Sequence, residues 1–150
     1  MLRTVIKNFS ELSCQELYDL LQLRSEVFVV EQHCVYLDMD GKDEKAIHVL
    51  GFEDDKLVAY LRIFKPGDYY EETTIGRVVV KKKMRSKGYG YDIMKASIKA
   101  VETKINSQKI TVSAQTYLRK FYNELGFIEQ GEEYMEDDIP HIRMTRLSDH

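Results

Sequence analysis

The sequence predicts the α/β (α+β) class: a mixed, mostly antiparallel sheet flanked by helices, in the order β-α-β-β-β-α-β-α-β-β. Three observations carry this prediction. Several apolar runs have strand length, two stretches repeat apolar residues at helical spacing, and the two kinds of segment interleave along the chain. No internal repeat, low-complexity tract or Pro/Gly/Ser-rich linker divides the 150 residues, so residues 1–150 read as one domain with a core of ordinary size.

The first strand is "RTVIKNF", which alternates adequately. Ser10 or Ser13 then offers a helix cap, and Leu17, Leu20, Leu21, Val27 and Phe28 follow as a core stripe. "DMDGKDEKA" reads as polar turn material leading into "AIHVLGFE" and "KLVAYLRIF", a hairpin joined by "EDDK". "TTIGRVVV" ends in continuous valine, as a strand covered on both faces does. From Gly88 onward, Met94, Ser97, Ile98, Val101 and Ile105 mark a second helix. "KITVSAQ" is a further strand, "TYLRKFYNEL" a short helix ended by Gly126, and two strands follow around a break at Pro140. Those last strands either close the domain or pair with a second copy, which leaves a homodimer open.

Composition narrows the function classes. With 43% hydrophobic residues, 31% charged residues and a net charge of -3, the chain is neither an acidic tail nor a strongly basic protein, so no nucleic-acid partner is expected. The start "MLRTVIKNFSEL" lacks the apolar region of a signal peptide, and no run of about 18 apolar residues occurs, so the expected setting is cytoplasmic, with no membrane partner. Cys14 and Cys34 are too few for a disulfide framework and lack metal-site spacing; they read as ordinary thiols, and no metal is expected.

The stretch "MRSKGYGYDIMKA" places Gly88 and Gly90 at the edge of the second helix. A helix start carries unpaired N–H groups and roughly half a positive charge. Glycine before it lets several N–H groups converge on one anion and lets that anion approach the backbone. Arg85 and Lys87 beside the loop, with Lys81, Lys82 and Lys83 before it, add side-chain charge suited to a polyanion. A Walker A loop is absent, and Ile93 stands where a dinucleotide fingerprint needs its third glycine. A glycine turn beside solvated lysines is the structural alternative.

Arg85-x-x-Gly88-x-Gly90, after "IGRVVV" and opening an amphipathic helix, resembles the acyl-CoA signature of the GNAT superfamily of N-acetyltransferases. "AQTYLRKFYNELGF" resembles that superfamily's later strand-then-helix segment, with Phe121, Tyr122, Gly126 and Phe127 at its marked positions. "LYDLLQLRSEVFVVEQHCVYLDMDGKDEKAIHV" and "DDIPHIRM" are similar to the ElaA-like branch, so the resemblance spans nearly the whole chain. The asparagine many members carry after the fifth strand is absent, with Gln115 nearby.

The resemblance implies a GNAT-type fold and transfer of an acetyl group from acetyl-CoA to an amine by direct attack on the thioester. Val78, Val79 and Val80 would flank the pantetheine arm. Arg85, Ser86, Lys87, Gly88, Tyr89, Gly90 and Tyr91 would hold the phosphates. An amine of pKa near 10.4 is neutral in only about one part in a thousand at pH 7, so a base is useful. Glu31, His48, Glu136 and His141 are the candidates, each also readable as a solvated acid or a hydrogen-bonded strand histidine. Tyr122 is the expected general acid for the departing thiolate, although it also fits an apolar stripe with Leu118, Phe121 and Leu125. Glu31, Gln32, His48 and His141 would line the acceptor side, for a small-molecule or peptide amine. Two other readings compete: a non-catalytic acyl-CoA-binding or sensing module, and a short nucleic-acid patch in "KKKMRSKGYGY".

Overall fold

The computed structural model describes residues 1–148. Its elements follow the expected order: β1 (Arg3–Asn8), α1 (Cys14–Arg24), β2 (Ile47–Glu53), β3 (Lys56–Phe64), β4 (Thr73–Val80), α2 (Tyr89–Ala100), β5 (Lys109–Gln115), α3 (Arg119–Glu124), β6 (Ile128–Glu136) and β7 (Ile139–Leu147). Seven strands form one sheet in the order β1-β2-β3-β4-β5-β7-β6. Every neighbouring pair is antiparallel except β4 and β5. No helix among the described residues is long and apolar enough to cross a membrane.

Period-two alternation in β3 splits the core between two faces. Ala59, Leu61 and Ile63 pack with Ile93, Met94, Ile98 and Val101 of the α2 helix and its extension. Tyr60 points the other way, into a cluster with Leu20, Leu23, Val27, Leu50 and Val79 under α1. Each fully buried aliphatic side chain contributes about 1.5–3 kcal/mol, so both faces hold their helices firmly. Of the two candidate caps, Ser13 starts α1: its Oγ accepts from the Glu16 N–H at 3.1 Å, and Glu16 Oε1 accepts from the Ser13 N–H at 2.8 Å. Past Arg24 the helix widens into a π-helical turn, Ser25–Glu31, which carries the chain toward the valine end of β4.

Two expectations need correction. The last two strands are broken at Asp137 and Asp138, both with positive φ (49° and 60°), as a tight hairpin requires. Pro140 lies inside β7 opposite Met135, past the final β5–β7 pair Gln115–His141, where its missing N–H removes no bond to β5.

The second correction concerns "DMDGKDEKA", which is not a solvated turn. Arg24, with none of its surface exposed, lies 2.8 Å from both Asp38 and Asp43. Arg62 reaches Asp40 at 2.5 Å and Asp43 at 2.8 Å, and Arg77 reaches Asp38 at 2.8 Å. Burial alone would raise the Asp40 and Asp43 carboxyls, but hydrogen bonds from Arg62 and Arg24 hold both below the usual carboxylate range. These five ion pairs, among three arginines and three aspartates, tie the segment after α1 to α1, β3 and β4.

Removing one member of this network leaves a buried charge uncompensated. Arg24→Ala is expected to lower unfolding stability by about 3–5 kcal/mol at pH 7, measured by urea denaturation. A loss below about 1 kcal/mol would show that the aspartates find water instead.

Candidate active site

The parallel pair β4–β5 lasts only two steps, Thr73 to Ile110 and Thr74 to Thr111, after which the strands part. The cause lies within β4. Between the pairs Tyr60–Val79 and Arg62–Gly76 the β4 strand carries one extra residue, and Arg77 there adopts φ +51°. A bulge of this kind bends its strand and sharpens its twist. The left-handed conformation is costly for arginine, and the Arg77–Asp38 ion pair fixes it.

The gap is a cleft of about 680 Å³, within the range of small-molecule sites. Val78, Val79 and Val80 line one wall, with the Val79 side chain also part of the core beneath α1. Ser113 and Gln115 line the other. Gln115 exchanges amide hydrogen bonds with Gln32 across the opening, at 3.3 and 3.4 Å.

At one end lies the glycine loop. Gly88 has φ +79° and a Cβ there would meet nothing within 4 Å, so the position is conformationally demanding and sterically open. Gly90 answers a different need, since its Cβ would sit 3.3 Å from the Phe121 ring. Intrahelical bonding begins with the Asp92 N–H to Gly88 O at 3.0 Å, so the N–H groups of Tyr89, Gly90 and Tyr91 point out of the helix start unpaired. Ser86, Gly88, Tyr89, Gly90 and Tyr91 all line the cleft. The residues present therefore fit a diphosphate.

Both loop cations are already partnered. Arg85 makes a bidentate pair with Glu31 (2.5 and 2.9 Å), the hydrogen bonds holding the Glu31 carboxyl below its usual range. Lys87 does not line the cleft; its ammonium is 3.0 Å from Glu53, which also accepts from the Tyr89 hydroxyl. That bond pushes the Tyr89 phenol up to about 12.

Tyr122, Glu136 and His141 line the same cleft. Tyr122 is 5% exposed, its ring held edge-on against Phe121 and Phe127, and burial pushes its phenol well above the usual range. His141 Nδ1 lies 2.6 Å from the Ile139 carbonyl oxygen, which can only accept, so Nδ1 carries a hydrogen. In the neutral ring Nε2 then keeps its lone pair, 3.4 Å from Glu136 Oε2.

His48 is not part of this site. Its side chain is fully buried, with Nδ1 2.6 Å from the Tyr60 hydroxyl and Nε2 2.9 Å from the Asp43 carbonyl, and burial lowers its pKa. Alternation in β2 decides this, because His48 shares the inward face with Leu50. Sequence reasoning missed Tyr36, Arg77 and Ser113, which also line the cleft. Only the single-residue bulge would have marked Arg77, and no local pattern announces it.

The chain matches a family model described as an acetyltransferase (GNAT) domain over residues 10–148. It is 45% identical to protein ElaA of Escherichia coli over 139 residues, 91% of each chain, and matches the ElaA crystal structure with a TM-score of 0.89 over 97% of this chain and 99% of that one. An acyl-CoA N-acyltransferase from Pseudomonas aeruginosa superimposes with a TM-score of 0.91 at 40% identity, covering 97% and 99% of the two chains. An aminoglycoside 6'-N-acetyltransferase complexed with coenzyme A shares the fold, with a TM-score of 0.72 at 16% identity over 95% and 96%. By sequence and by fold, the chain belongs to the GNAT acetyltransferase family, in its ElaA-like branch.

Proposed function

We propose that the protein is an acetyl-CoA-dependent N-acetyltransferase acting on a primary amine by direct attack. The observation that carries this is the opening of β4 from β5, which joins a main-chain anion cradle to a tyrosine and a histidine–glutamate pair in one cleft. Bound there, acetyl-CoA supplies a thioester whose acetyl group is the electrophile.

The protein's own groups set the proton traffic. The His141 Nε2 lone pair and the Glu136 carboxylate, 3.4 Å apart, both accept, so an incoming ammonium donates to both and gives up one proton there. The freed amine forms the N–C bond as the C–S bond breaks. Tyr122, kept protonated by burial, donates to the departing thiolate. Glu31, tied to Arg85, is a poor base and serves the cofactor end.

Gly88→Asp places a negative charge in the open cradle at a φ that aspartate tolerates better than most residues. It is expected to stay folded, by circular dichroism, and to lose CoA binding by calorimetry; unaltered affinity would move the phosphate site elsewhere. Tyr122→Phe should lower kcat by about 10²-fold while CoA affinity holds. Loss of neither, or equal loss of both, would remove Tyr122 from the acid role, whereas CoA binding without turnover of any amine by the unaltered protein would favour a non-catalytic acyl-CoA-binding module. His141→Ala should cut kcat/KM at pH 7 by about 10²–10⁴-fold and recover part of the loss as pH rises toward the amine pKa near 10, where free amine no longer needs a base. A pH-independent deficit would exclude the base role.

A further inference from the structure

A second cleft, of about 490 Å³, opens on the other side of the same gap. It meets the first at Arg77, Ser113 and Glu136, which line both. Phe64, Tyr69, Tyr70 and Tyr134 contribute aromatic rings to its wall. Phe64 and Tyr69 lie with ring centroids 4.9 Å apart, and Tyr69 and Tyr70 stand edge to face at 4.5 Å. Tyr134 faces them from β6, hydrogen-bonded to Ser113. The three tyrosines keep 37–59% of their surface exposed, as a platform for a flat guest would.

The charges around the cleft argue against a second cation on the guest. Arg62 is neutralised by Asp40 and Asp43, Arg77 by Asp38, and Arg143 shares Glu72 with Lys109. Two of the rings already carry a cation: the Arg62 guanidinium sits 5.0 Å over Phe64 and the Lys42 ammonium 5.3 Å over Tyr69. Glu136, where the two clefts join and 3.4 Å from His141 Nε2, is the acid placed to receive a single amine. Three buried polar atoms on lining residues, Arg62 Nε, Arg77 Nε and Thr74 Oγ1, have no hydrogen-bond partner among the described residues, and of these Arg77 Nε is ion-paired with Asp38 at 2.8 Å. Arg62 is 2% and Thr74 8% exposed, so each keeps a donor free to pair with an oxygen on a bound guest.

We propose that the acceptor is an arylalkylamine: a monocationic amine whose ring packs against Tyr70 and Tyr134 and whose ring oxygen meets Arg62 Nε or Thr74 Oγ1. Its amine then reaches Glu136 and His141. The inference rests on the acetyl-transfer reading and supplies its substrate class. The bonds made and broken are those already given for the amine and the thioester.

Two measurements test it. Thiol-release rates with tyramine and phenethylamine, against hexylamine and cadaverine, should favour the aryl amines by about tenfold or more in kcat/KM. Tyr70→Ala, at a 59% exposed position, should bring that preference below about threefold with the KM for acetyl-CoA unchanged. Separately, tyrosol, which has no amine, should bind saturably by calorimetry and bind more weakly to Tyr70→Ala and Thr74→Val. Equal or better rates with hexylamine or cadaverine, or no saturable tyrosol binding, would overturn the proposal. Tyrosol binding with no amine acetylated would uphold the cleft as an aromatic-ring site and sink the transferase reading instead.

Discussion

The separation of two neighbouring strands past their second residue pair governs everything else in this molecule. A parallel pair that continued along β4 and β5 would close the sheet and leave no interior surface for a ligand. It is held open by an arginine in a backbone conformation that arginine disfavours, and that arginine is held by an aspartate on a segment 39 residues earlier in the chain. Folding energy drawn from the buried ion pairs is thereby stored as geometry at the site.

The same network explains a feature that local composition disguises. Asp38, Asp40 and Asp43 alternate with residues that point to solvent, and Val35, Leu37 and Met39 are more than half exposed. Here the charged residues turn inward and the apolar ones outward, the reverse of the ordinary pattern. Three guanidinium groups beneath the segment make that inversion favourable.

Much of the fold was legible in the residues because each strand and helix announces itself locally. "TTIGRVVV" and "KITVSAQ" match β4 and β5 residue for residue. The glycine loop was legible for the same reason, since Gly88 serves a backbone conformation that only a few residues adopt. What stayed hidden depends on pairing across the chain. His48 looked like a base until β2 turned it toward Tyr60, and the buried aspartates looked like a turn until Arg24, Arg62 and Arg77 met them. Glu136 and His141 were nameable as candidates, but only the hairpin at Asp137–Asp138 sets them 3.4 Å apart.

The ion pairs at the cradle's mouth carry a thermodynamic consequence. Arg85 and Lys87 are matched to Glu31 and Glu53 in the absence of any ligand, so a diphosphate bound as proposed would, at Arg85, trade one anion for another rather than add a fresh attraction. The electrostatic reward for binding is a difference between two partners, smaller than the count of positive side chains suggests. Affinity for the nucleotide end should therefore vary gently with ionic strength, and selectivity should come from the shape of the main-chain nest rather than from bulk charge.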